Sequence, residues 1–510
     1  MTDMPNMPNT PNMPNMPITP DLPEAAPAQA ALAALWHGAG LPAETLSQIE
    51  LTGQAPVLPS SFCVATAAQA SLGAAALAAA LLWQQRSGVR QQVRVDRVHA
   101  TLACTSHFAI DGRVPEMWDK LSGLYPCGGD TASPGWVRIH ANFSHHRDSM
   151  LRTLGLPEGP ATEREAVTQA LRRWTAAAFE QAATHAGGVV AAARSFAQGD
   201  AHPQALALAG QPVVLIEPIT GPGEAAAPLP WPAPATGAAA AQARPLDGLR
   251  VLDLTRILAG PVAGRCLAAY GADVMLVNGP HLPNIEAIAD TSRGKLSALI
   301  DLREAAGQAQ LDHLLSTSQV MVHGYRPGAL ARLGLSAEAL AQRRPGLVVA
   351  SISAYGEHQP AGPWDSRRGF DSMVQTTTGF NLAEAEAAGN AQPQALPMQI
   401  LDYAAGQLLA FGVQAALWRQ ARQGGSWQVR VSLAGIGLWL RGLGRQADGL
   451  AAVRPSFKTW LEESTCGFGP NGQAATLLAM RHAAEFSATP ARWSRPSMPP
   501  GSHPPVWPSD

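Results

Sequence analysis

Charge is scarce in this sequence. Asp, Glu, Lys and Arg make up 15% of its 510 residues, and the formal net charge is −2. That balance excludes an electrostatic case for nucleic acid or an anionic membrane surface, both of which call for a basic excess. Cysteine is scarce as well. Cys63, Cys104, Cys127, Cys266 and Cys466 show no metal-ligand spacing, and an odd count gives no disulfide framework. A reducing cytoplasm is therefore expected. No apolar run approaches the length of a membrane span. The opening "MTDMPNMPNTPNMPNMPITP" has no basic start and no apolar core, so it does not read as a secretory signal. It repeats Asn, Met and Pro and has little to bury, which predicts disorder over residues 1–30.

What is present is apolar. Hydrophobic residues reach 46% and mean hydropathy is −0.01, enough for more than one domain with a large core. "ITGPGEAAAPLPWPAPATGAAAAQARPLDG", residues 219–248, is rich in Pro, Ala and Gly and predicts a semi-stiff linker. It separates a first half, residues 31–218, from residues 249–440, and a tail from 441 to 510 matches neither.

Residues 249–440 alternate. "LRVLDL", "ADVMLVN", "QVMVHGY" and "GLVVASISAYG" read as short buried strands. "ILAGPVAGRCLAAYG", "DLREAAGQAQLDHLL" (Asp301 as its cap) and "PGALARLGLSAEALAQRR" read as helices between them. Such alternation predicts an α/β fold, a Rossmann-like parallel sheet covered on both faces. In the first half, "WVRIHANF" reads as a strand and "REAVTQALRRWTAAAFEQAATHAGG" as one helix, giving a smaller α+β domain.

One long-range repeat stands out. "AAQASLGAAALAAALLWQQRSGVRQQVRV" and "DYAAGQLLAFGVQAALWRQARQGGSWQVRV" are both a small-residue helix, a Trp, a Gly turn and a Gln-Val-Arg-Val strand. Where the second copy carries Asp402, the first carries Thr66 and Ala67. On its own Asp402 reads either as a helix cap, since Asp accepts from orphan N–H groups, or as a functional carboxylate.

Five motifs in order now carry a resemblance: "PLDGLRVLDLTRILAGPVAGRCLAAYGADVMLV", "SRGKLSALIDL", "VHGYRPGALARLGL", "SISAYGEHQPAGPWDSRRGFDSMVQTTTG" and "LPMQILDYAAGQLLAFGVQAAL". Together they resemble the class III (family III) CoA-transferases, a group that includes formyl-CoA transferase, carnitine and bile-acid CoA-transferases, and alpha-methylacyl-CoA racemase. The first half resembles the later part of the same family, so the family's C-terminal part stands before its N-terminal part. The resemblance spans roughly residues 60–440.

The resemblance implies an acyl-CoA and a carboxylic acid as substrates, with coenzyme A as substrate and no permanently bound cofactor. Asp402 falls at the family's nucleophile. Asp371, otherwise a loop carboxylate beside Arg367 or Arg368, falls at a supporting acid. Phe370 stands where racemase relatives carry a proton-transferring His, which argues for transfer over racemisation; a racemase and an inactive CoA-binding protein are the alternatives. Leu258 and Ala259 would line the CoA pocket. Gly260 would let backbone approach the ligand, the turn not being a GxGxxG fingerprint. Arg256, Arg293, Lys295, Arg326 and Arg332 would supply phosphate contacts, each of them alone also readable as a surface charge. Gly128 and Gly129 would form a mobile loop over the nucleophile, or an ordinary hairpin turn. The family implies a homodimer, interlocked by chain threading. Asn278, and His323 with Gly324, depart from the pattern. His140, His145 and His146 lie on a strand and loop without a carboxylate set, so no metal is expected.

Overall fold

The computed structural model describes residues 26–219, 227–233, 242–357 and 362–508. The first half provides β1 (Ile49–Thr52), β2 (Val93–Asp96), β3 (Phe108–Ile110), β4 (Gly123–Cys127), β5 (Gly135–Ile139), β6 (Val190–Ala192) and β7 (Leu215–Pro218). The second provides β8 (Arg250–Leu254), β9 (Asp273–Asn278), β10 (Lys295–Leu299), β11 (Val320–His323), β12 (Val348–Ser353) and β13 (Trp427–Ser432). The tail adds β14 (Leu461–Cys466), β15 (Ala475–Met480) and β16 (Ala484–Phe486).

The main sheet has seven strands in the order β10-β9-β8-β11-β12-β13-β7. Its pairs are parallel except the last, where β7 runs antiparallel to β13. Parallel neighbours need a crossover, and helices Ala259–Ala269, Ala305–Leu315, Ala337–Arg343 and Ile400–Gln423 supply them. The expected α/β sheet is thus present. Within the expected helices the boundaries shift. Glu304, not Asp301, stands at the cap of Ala305–Leu315, and Asp301 pairs with Arg303 instead. The single first-half helix is two, Arg164–Leu171 and Ala176–His185, because Thr175 caps a new start by accepting from the N–H of Ala178.

The repeat is a structural repeat. Val64–Ser87 and Ile400–Gln423 are both 24-residue helices. Each joins two parallel strands, β1 to β2 and β12 to β13. Each pair is closed by an antiparallel third strand, β16 on β2 and β7 on β13. The closing strands are exchanged: the first half's last strand completes the second half's sheet, and the tail's last strand completes the first half's.

The two long helices pack on each other, and the amide of Gln414 donates to the Ala75 carbonyl at 3.1 Å. Both are apolar on nearly every face, the pattern of a fully buried helix. Contrary to the expectation that no apolar run approaches a membrane span, both are long and apolar enough to cross a membrane by composition, and both are buried inside the protein. Small residues permit the approach. A Cβ on Gly406 would stand 2.4 Å from the Ala259 carbonyl oxygen, so the crossing with the Ala259–Ala269 helix requires glycine there.

The expected linker begins where β7 ends. Its described part lies on the body: Trp231 sits under the Arg86 guanidinium, and the Pro230 carbonyl accepts from Gln319. Residues 220–226, 234–241 and most of the expected disordered start lie outside the described residues, although Ala28–Gly38 is a helix. The tail is part of the fold, since β15 pairs with both β14 and β3. A three-stranded sheet, β4-β5-β6, with helices Ser144–Leu154, Arg164–Leu171 and Ala176–His185 forms the small α+β unit around its own core of Tyr125, Val137, Leu151 and Phe179.

Candidate active site

Asp402 does not cap its helix. It is the third residue of Ile400–Gln423, and Gln399 at the cap position makes no side-chain bond to the turn. The cap comes from elsewhere. Asp371, the first residue of the Asp371–Thr377 helix, accepts the Asp402 backbone N–H at 2.9 Å, and its other oxygen accepts from Gln375. Its carboxylate thereby satisfies orphan N–H groups of the Ile400–Gln423 helix. The Asp402 carboxylate itself is left without a hydrogen bond among the described residues and faces a cleft of about 410 Å³.

Burial sets the charge on this pair. Asp371 is fully buried and Asp402 is 8% exposed. Burial, then the Asp371 carboxylate, push Asp402 well above the ordinary carboxylate range. Burial also raises Asp371, to about 6, but its N–H donors and the Arg138 guanidinium oppose that shift. Asp371 therefore keeps the charge and Asp402 the proton. The helix N-terminus therefore does not hold Asp402 ionised, because a second carboxylate already occupies it.

The cleft wall opposite is the turn from β8 into Ala259–Ala269. Ile257 has φ 77°, a left-handed conformation costly for a β-branched residue and held only by its surroundings. Among the described residues no side chain caps the helix that follows, so its first N–H groups are available on the cleft wall. A Cβ on Gly260 would lie 2.4 Å from the Thr255 side chain, so the tight turn requires glycine. Asp253 fixes the turn from beneath by accepting from the N–H and hydroxyl of Thr255.

The basic residues divide. Arg256 and Arg326 line the cleft, with single backbone contacts to Pro283 and Ser366. Lys295 does not. Its ammonium is fully buried, donating at 2.8 Å to both Asp253 and the Pro261 carbonyl. Arg293 is also outside the cleft, paired with Asp290 at 2.6 Å and Glu462 at 3.2 Å under the Trp493 ring. The tail covers it. Arg332 is exposed and lies outside the cleft lining. Gly128 and Gly129 sit in the turn of the β4–β5 hairpin, and that turn is at the end of β5 away from His140 and Phe370. Within this chain they do not reach Asp402. Leu258, Ala259 and Gly260 do line the cleft.

Sequence reasoning missed what the first half brings. Phe143, His145 and His146 line the same cleft as Asp402. His140 stacks flat on Phe370, with ring centroids 3.9 Å apart and planes at 6°. Arg138 on β5 is buried near Asp371. The "HANFSHHRD" cluster was the available signal, and it invites only a metal reading because Phe370, on which His140 stacks, follows it by 230 residues in sequence.

The first copy of the repeat has no equivalent centre. Thr66 is the third residue of Val64–Ser87, matching Asp402, and Arg97 donates to its hydroxyl at 3.1 Å and to the Ala55 carbonyl at 3.0 Å. The guanidinium fills that place. A larger cavity of about 670 Å³ lies among the tail residues, lined by Arg481, Arg492, Arg495, Glu462, Glu463 and Glu485 among others. It contains neither carboxylate of the pair.

Residues 246–446 match the model of CoA-transferase family III. The chain is 35% identical over 213 residues to a probable fatty acyl-CoA transferase of Mycobacterium tuberculosis, covering 39% of this chain and 53% of that protein. It is 32% identical to a succinate–glutarate CoA-transferase of Agrobacterium fabrum, over 38% of this chain and 52% of the relative. It is 30% identical to a formyl-CoA:oxalate CoA-transferase of Rhodopseudomonas palustris, over 37% and 46%. The chain spans about half the length of these curated relatives.

Proposed function

We propose that this protein moves CoA from an acyl-CoA to a carboxylic acid, with Asp402 as nucleophile and an aspartyl-CoA thioester as intermediate. The observation that carries this reading is the bond-free Asp402 carboxylate, released from capping by Asp371 and facing a cleft in the segment that matches CoA-transferase family III.

The steps balance without a metal or redox partner. The Asp402 carboxylate oxygen bonds to the thioester carbon, the C–S bond breaks, and CoA thiolate leaves a mixed anhydride. The thiolate then attacks the aspartyl carbonyl, releasing the donor acid and leaving the aspartyl-CoA thioester. An acceptor carboxylate reverses the sequence. Covalent catalysis divides one difficult exchange into easier ones. The uncapped N–H groups at Ala259–Ala269 suit the oxyanion of each tetrahedral intermediate, and Arg256 and Arg326 suit the CoA phosphates. Asp402 must shed its proton before attack, so the reactive form grows with pH. Phe370 has no proton to give, which favours transfer over exchange at the α-carbon.

The test is hydroxylamine trapping on the intact chain. An acyl-CoA should give an aspartyl hydroxamate on the Asp402 peptide, and Asp402→Ala should give none. A folded wild-type protein that yields no hydroxamate with any acyl-CoA would refute the reading.

A further inference from the structure

We propose that the first half supplies the acid-recognition wall of the cleft, with His146 donating an N–H to a second carboxylate on the acid substrate. The site then favours dicarboxylates over monocarboxylates of equal chain length. This rests on the CoA-transfer reading above.

His146 lies in the Ser144–Leu154 helix, is 4% exposed, and lines the cleft that Asp402 faces. Its Nδ1 is sealed from solvent and has no hydrogen-bond partner among the described residues. Folded proteins seldom leave such a group unmet. An orphaned N–H is rarer than an orphaned acceptor. The proton therefore belongs on Nε2, and an N–H is what the side chain can offer a ligand in the cleft. Burial, then His145, His140, Arg368 and Arg256, push His146 down to about 3, so the ring is a neutral donor.

The ring is also fixed. Phe143 stands perpendicular to it at 5.4 Å, His145 lies at 4.1 Å, and Phe370 lies at 6.2 Å. Phe370 precedes Asp371, which holds the backbone of Asp402, so the donor is built into the same wall as the carboxylate pair. A donor held by packing loses little freedom on binding.

Charge chooses the ligand. Arg368 lines this cleft and makes one backbone contact, to Gly187. A neutral N–H beside the Arg368 guanidinium suits an anionic oxygen. An unsubstituted alkyl acid would leave the N–H unpaired, and sites built around a hydrogen bond reject analogues that lack the partner.

The experiment compares succinyl-CoA with butyryl-CoA, both of four carbons, in the rate of hydroxylamine-trapped labelling of Asp402 in the full chain. The wild type should label faster with succinyl-CoA. His146→Phe, which keeps the ring without the N–H, should narrow the succinyl-to-butyryl ratio by roughly ten- to a hundredfold. His146→Asn, which restores a donor, should recover part of it. Equal wild-type rates, or an unchanged ratio in His146→Phe, would overturn the proposal while leaving CoA transfer standing. Absence of label with both thioesters would overturn this proposal, and the transfer reading would fall with it if no other acyl-CoA gave a hydroxamate. Deuterium exchange at the α-carbon that His146→Phe abolishes would also overturn it, by assigning the imidazole to proton transfer.

Discussion

At the residue scale, two carboxylates share one helix N-terminus and divide its benefits. Asp371 takes the N–H groups, and Asp402 is left raised by burial and by its neighbour. A carboxyl raised in the folded state binds its proton there while the unfolded chain has lost its own above about pH 4. Stability from this group therefore falls as pH rises from about 4 to the folded value. Asp402→Asn should end acyl labelling and raise Tm at pH 8 by on the order of 1–3 °C, with the gain shrinking toward pH 4. Paired thermal melts check this; a lower Tm at pH 8 would contradict it. Asp371→Asn removes the neighbouring charge, so the pH profile of labelling should move to lower pH. An unmoved profile would detach Asp371 from the titration. The position of Asp402 at the start of a small-residue helix was legible in the sequence, although it lies in the first turn and not ahead of it. Its partnership with Asp371 was legible only through the family resemblance, and the capping role of Asp371 was not, because a cap supplied from 31 residues away leaves no local signature.

At the element scale, the turn from β8 to Ala259–Ala269 explains why two basic residues with similar motif positions differ. Lys295 braces the turn through Asp253 and Pro261, whereas Arg256 lines the cleft. Lys295→Met leaves Asp253 buried and unpaired, which should cost about 3–5 kcal/mol. Arg256→Ala should leave Tm nearly unchanged and raise KM for acyl-CoA about tenfold. Denaturant melts and initial rates separate the two; a stable Lys295→Met with only a higher KM would restore Lys295 as a phosphate contact. Strand and helix alternation was readable because buried parallel strands are continuous apolar runs. The two long helices were readable as buried from their lack of a polar face. The tail was not, since β15 and β16 pair with β3 and β2 of the first half and show no local alternation with them.

At the scale of the whole molecule, the halves are joined by exchange. β7 completes the main sheet, β16 completes the β1–β2 pair, and the cleft draws Phe143, His145 and His146 from one half and Asp402 from the other. Fragments 26–219 and 242–508 should therefore need each other, since each alone exposes an unpaired strand edge and an apolar helix face. Co-expressed, they should co-purify and be active; residues 242–508 alone as a soluble, fully active protein would show the first half to be a passenger. The repeat itself was visible in the sequence, but not the strand exchange, because pairing across more than 200 residues is set by the packing of the two helices. The same repeat makes the most direct test. Thr66 and Arg97 close the first copy, and Asp402 leaves the second open. Intact-mass measurement after incubation with acyl-CoA, followed by hydroxylamine and peptide mapping, should find one hydroxamate per chain, on Asp402. Two per chain, one on another residue, or one that survives Asp402→Ala would contradict the account.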